Sequence, residues 1–251
     1  MTFWEHFDAL RGVLLRMAAI VLVLGVGSFC AMPWLFDNVI LAPCKNDFPF
    51  YRLIDAIVGS DPEFSLNLIS VELASQFFAH ISASCWVALI IGFPILLYLL
   101  WGFVAPGLYS HEKSGARRAF LFGILMFYIG VGVGYLMVFP LTLRFLATYN
   151  LSSTITPMIS IDSYMDNFFM LILVMGLVFE LPPMAWLLGK TGLLTRQFFK
   201  RFRRHAIVAL LIAAALITPT GDPFTLLVVF LPLYALWEFA AMLVPADSAN
   251  N

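Results

Sequence analysis

Charge is what this chain has least of. Only 12% of its 251 residues are Asp, Glu, Lys or Arg, while 62% are hydrophobic. A soluble domain carries roughly 25% charged residues, so water is excluded as the main solvent and the chain reads as an integral membrane protein. A net charge of -1 excludes nucleic acid as a partner, because phosphate binding needs a basic excess. Cysteine is scarce as well. Cys30, Cys44 and Cys85 form no CxxC pair and have no metal-ligand spacing, which leaves apolar burial or a Cys30 to Cys44 disulfide as the open readings. HExxH, GxSxG, a Walker loop and a carboxylate pair within the apolar runs are all missing, and His6, His80, His111 and His205 are scattered. These absences argue against an enzyme, a metal and a cofactor.

Long uncharged runs dominate what remains. About 20 apolar residues in a helix cross a hydrocarbon core roughly 30 Å thick. Six runs qualify as candidate spans: 13 to 36, 74 to 104, 118 to 143, 164 to 189, 206 to 220 and 223 to 244. The fold class expected is therefore an all-α membrane protein with six transmembrane helices in a single domain over residues 1 to 245, followed by a polar tail, 246 to 251. The fifth run is short at 15 residues, and PTGDP separates it from the sixth as a tight helical hairpin. The first run is expected to stay as a span: no A-x-A site follows it, and Glu5 and Asp8 stand with Arg11 and Arg16 before it.

Basic residues are retained on the cytoplasmic side of a membrane. With the N-terminus inside, eleven of the fourteen Lys and Arg residues fall on inner segments, leaving Lys45, Arg52 and Arg144 outside. Both termini are then cytoplasmic, and KRFRR at 200 to 204 serves as a topology anchor. The outer segments, 37 to 73 and 144 to 163, mix apolar residues with turn formers. They are expected to pack as a cap, stiffened by Pro43, Pro49, Pro62 and Pro157.

Two places carry polar groups that need a reason. WGFVAPGLYSHEK, 101 to 113, is a polar turn between two long apolar runs, with Glu112 among Lys113, Arg117 and Arg118. Together with the N-terminal segment it reads as a docking surface for a short arginine-bearing peptide. Glu180 lies inside the fourth run, where an ionised carboxylate costs at least roughly 2.5 kcal/mol. Pro182 and Pro183 follow it, so VFELPP predicts a bent helix turning the carboxyl toward a concavity or neighbouring backbone. Glu180 also motivates an alternative, an ion-coupled secondary transporter.

WEHFDALR at 4 to 11, WGFVAPGLYSHEK, FYIGVGVGYLMVFP at 127 to 140, PMISIDSYMDNF at 157 to 168, VFELPP at 178 to 183, RRHAI at 203 to 207 and TPTGDPF at 218 to 224 recur in an order and spacing that resemble the TatC family. The resemblance runs from about residue 3 to about residue 240. It implies the receptor subunit of a twin-arginine protein translocase in a bacterial inner membrane, which binds the twin-arginine signal peptides of folded precursors. It also implies TatA-like and TatB-like single-span partner subunits, transport driven by the protonmotive force, and assembly with further copies of the chain. Residue by residue, Glu112 would face the arginine pair with Phe103 beside it, Pro43 would shape the outer cap, and Glu180 would be the intramembrane polar residue. Thr218, Asp222 and the position of Leu226 would lie where partner helices dock. Two positions depart from the family pattern: Ala9 stands where a Glu is usual, with Asp8 and Glu5 close by, and Leu226 stands where Gln is frequent.

Overall fold

The computed structural model describes residues 3–58, 66–104, 113–149, 152, 158–190, 192–218 and 220–244. Nearly all of them are helical. Helix α1 (Phe3–Leu35) pairs along its length with α3 (Ser75–Val104). Helix α4 (Lys113–Val133) passes through one π-helical turn, Gly134–Val138, into α5 (Phe139–Thr148). Helices α6 (Ile161–Val178) and α7 (Leu181–Lys190) are the two halves of a broken rod, and α8 (Arg196–Ile217) with α9 (Pro223–Leu243) forms the hairpin. Five stretches among the described residues are long and apolar enough to cross a membrane: α1 with its continuation, α3, α4 to α5, α6 with α7, and α9. The fold is an all-α membrane bundle.

Helix α8 differs from its expected bounds. It begins ten residues before the apolar run, because Arg, Lys and Gln are good helix formers even where they cannot enter lipid. The third run likewise continues to Thr148.

The core lies in the half of the bundle nearest the cap. Phe139, Tyr164, Phe168 and Phe169 stack edge to face there, with Met175 and Leu171 fully buried beneath them. Helix α6 is the axis of this core because α4 can approach it closely. A side chain at Gly130 would come within 2.6 Å of the Met175 carbonyl oxygen, so only glycine fits.

Prolines within the apolar helices each remove an N–H and leave the carbonyl four residues earlier without its helical donor. In lipid such a carbonyl must find another donor. Pro33 frees the carbonyl of Phe29, which lies 3.0 Å from Nε2 of His80 on α3. Pro94 frees that of Ile90, which accepts from the Tyr128 hydroxyl on α4 at 3.2 Å. The same defect that bends each helix ties it to a neighbour. Where the π turn after α1 ends, the carbonyl of Val39 likewise accepts from the Tyr135 hydroxyl at 2.9 Å.

After α1 the chain widens into a π turn, Phe36–Ile40, then tightens into a 3-10 turn, Ala42–Cys44, before the short α2 (Pro49–Val58). Two buried tyrosines hold this cap: the Tyr51 hydroxyl donates to the carbonyls of Pro43 and Pro140, and the Tyr164 hydroxyl to that of Ile40. Arg144 stacks over the Tyr51 ring. A feature with no signal in the composition joins the two loops of the cap: β1 (Leu68–Ile69) pairs in parallel with β2 (Ile159–Ser160). Of the expected cap prolines, Pro43 is buried and Pro49 opens α2, while Pro62 and Pro157 lie outside the described residues. The possible Cys30 to Cys44 bridge is not formed. Cys30 faces outward from α1, Cys44 is buried in the cap, and both thiols are free.

Candidate functional site

The ends of α1, α3 and α4 remote from the cap carry the residues singled out for peptide docking. Asp8 and Arg11 stand three residues apart on the first turns of α1, both exposed. Phe103 is half-buried in the last turn of α3, and Arg118 is exposed near the start of α4. Glu112 and the side chain of Glu5 lie outside the described residues, as does most of the 101 to 113 turn. Helices α1 and α3 run antiparallel, with Phe29 against His80 and Leu24 against Gly92. Ala9 is half-buried between Asp8 and Leu10, so the carboxylate of this segment sits one position before the usual one and faces outward.

Glu180 occupies the break between α6 and α7. Phe179 and Glu180 form a turn, and α7 restarts at Leu181 with Pro182 and Pro183 in its first turn, where their missing N–H groups have no helical acceptor to serve. The carboxyl group points at α4 and occupies the space over Gly123: a Cβ there would lie 2.7 Å from Oε2. Oε1 is buried with no hydrogen-bond partner among the described residues. The bent helix was legible in VFELPP; the glycine that receives the carboxyl was not.

At the hairpin Thr218 closes α8 and is buried, and Asp222 caps α9 by accepting from the Thr225 N–H at 2.7 Å. Thr220 donates its hydroxyl to the other carboxylate oxygen at 2.6 Å, across a turn in which Gly221 takes φ +61. Burial raises the affinity of the Asp222 carboxyl for its proton, but the bonds from Thr220 and Thr225 outweigh it and hold the group below the usual carboxylate range. Leu226, half-buried, packs against the core, while Leu227 and Leu231 face outward. At the other end of the hairpin Arg203 Nε donates to Glu238 at 2.6 Å and to the Tyr234 hydroxyl at 3.1 Å, tying α8 to α9. The sequence marked Arg203 as one of an anchoring cluster, but its pairing with Glu238 depends on the hairpin's register and could not be read from it.

The family model for the Sec-independent protein translocase protein TatC matches residues 5–232. The chain belongs to the TatC family. A TatC of Helicobacter pylori is 35% identical over 220 residues, 85% of each chain, and one of Blattabacterium is 30% identical over 249 residues, 96% of this chain and 93% of that one. A crystal structure of a twin arginine translocase receptor, TatC, shares 29% identity and superposes with a TM-score of 0.76 over 95% of this chain and 97% of that one. A second, in DDM, gives 0.78. This TatC chain is thus a multi-pass membrane component of a protein translocase rather than a member of an enzyme family, and it works in association with other translocase components.

Proposed function

We propose that this TatC protein is the receptor and core assembly subunit of its translocase, binding twin-arginine signal peptides of folded precursors at the inner ends of α1, α3 and α4. The reading takes the chain as one six-span domain in the bacterial inner membrane with both termini cytoplasmic. What supports it is the packing of α1 against α3, with the exposed Asp8 in the first turns of the one and the half-buried Phe103 in the last turn of the other, together with membership of the TatC family. Glu112 supplies the main carboxylate, and Asp8, with Glu5, replaces the one absent at Ala9. Arg11 orients these acids and repels a misplaced guanidinium.

A guanidinium matches a carboxylate with a planar fork of donors, which an ammonium does not offer, so arginine is favoured over lysine. An exposed ion pair contributes only about 0–1 kcal/mol. The charges therefore set the register, and the apolar part of the signal adds affinity along the helices. Partner subunits with a single span, TatA-like and TatB-like, dock at the α8–α9 hairpin. Thr218, Asp222 and Leu226 fix its shape from within, and outward residues such as Leu227 and Leu231 supply the contact. Transport then draws on the protonmotive force with several copies of the chain assembled together.

Glu112→Lys tests the site. Export of twin-arginine precursors should stop while the chain stays inserted and abundant. Unchanged export would remove Glu112 from the reading.

A further inference from the structure

A cavity of about 500 Å³ opens in the flank of the bundle, between α3 and α4, in the half nearest the cap. Val87 and Ile91 form one wall, Gly132 and Leu136 the other, and Phe169 and Ile172 the back. No charged side chain lines it. Its two polar side-chain groups, the hydroxyls of Tyr128 and Tyr135, already donate to the carbonyls of Ile90 and Val39. The cavity therefore offers a ligand no free donor, and water would find too few partners to stay.

We propose that this cavity is a binding site for one acyl chain of a membrane phospholipid, taken from the leaflet on the side of the cap. The lining decides the occupant: the cavity opens on the flank of the bundle, where hydrocarbon is the surrounding solvent, and it offers no charge or free hydrogen-bonding group that would single out a side chain of a partner helix. Gly132 supplies the second argument. Gly130, two residues before it, is required by the approach of α6, but a Cβ at Gly132 would meet nothing within 4 Å. A glycine inside a helix costs stability, and no neighbour among the described residues calls for one here. Its effect is to leave the wall of the cavity open. An unfilled apolar space would forfeit the dispersion contacts of every side chain around it, and in a bilayer hydrocarbon is always at hand to make them.

The chain is purified after reconstitution with phosphatidylethanolamine and phosphatidylglycerol, stripped stepwise with detergent, and weighed by native mass spectrometry. The intact protein should retain one phospholipid at a stage where Gly132→Leu and Ile91→Trp, which fill the cavity from opposite walls, have lost it. Equal retention by all three overturns the proposal. A photoreactive benzophenone side chain placed at Leu136 in otherwise unaltered protein gives a reading that does not depend on either variant folding. Its adduct should be a phospholipid, and an adduct formed only with a single-span subunit or a signal peptide overturns the proposal.

Discussion

Glu180 and Gly123 form a pair that neither residue announces alone. The carboxyl of one fills the space the other leaves, with one oxygen buried and without a hydrogen bond among the described residues. Gly123→Val should then force the carboxyl out or part α4 from α7, at a cost of about 1–3 kcal/mol, read as a lower midpoint of thermal unfolding in detergent. An unchanged midpoint would mean that the carboxyl has somewhere else to go. The proline-freed carbonyls make a second residue-scale case. Tyr128→Phe removes the donor to Ile90 and should destabilise the fold by about 1 kcal/mol, whereas Pro94→Ala should make that loss smaller by restoring the helical N–H donor. Glu180 and each proline could be read from the sequence, because a charge or a missing N–H in an apolar run is visible without a structure. Gly123, His80, Tyr128 and Tyr135 could not, since what singles them out is a partner on another helix.

Helices and turns were legible where composition alone sets them. The apolar runs of α3 and α9 fall within a residue of the observed helices because lipid solubility and helix bounds coincide there. They diverge in α8, where a charged helical stretch precedes the lipid-soluble part, and in α4 to α5, where Arg144 ends the uncharged run before it ends the helix. The strand pair between the loops of the cap left no trace, since two residues are too short for an alternating pattern. At the hairpin, TPTGDPF gave the turn, and the structure adds the cap. Asp222→Ala should cost about 1 kcal/mol, while Asp222→Asn, which keeps a capping acceptor, should cost less. The pH dependence separates charge from cap. The folded protein holds the Asp222 proton less tightly than the unfolded chain does, so the ionised group adds stability above the ordinary carboxylate range. That contribution is lost as pH falls through its depressed value. The acid limb of a stability-against-pH curve should therefore be shallower in Asp222→Asn than in the parent; parallel limbs would contradict this.

At the scale of the molecule, the bundle is built from opposite ends. Near the cap, aromatic stacking and tyrosine hydroxyls lock the helix ends. At the end remote from the cap, Asp8, Arg11 and Arg118 are exposed and Phe103 is half-buried. A packed half and a charged, exposed half fit the proposed role of holding a surface in place while admitting a flexible peptide. Family membership was legible as ordered motifs, while the pairing of the helices was not, because it is not written in any one of them. Crosslinking a twin-arginine signal peptide, through a photoreactive group beside its arginine pair, to the intact membrane-embedded protein tests the account most directly. Adducts should map to the first turns of α1, the end of α3 and the 101 to 118 segment, and should weaken when the arginine pair is replaced by lysine. Adducts on the cap around Tyr51, or equal labelling by the lysine peptide, would contradict it.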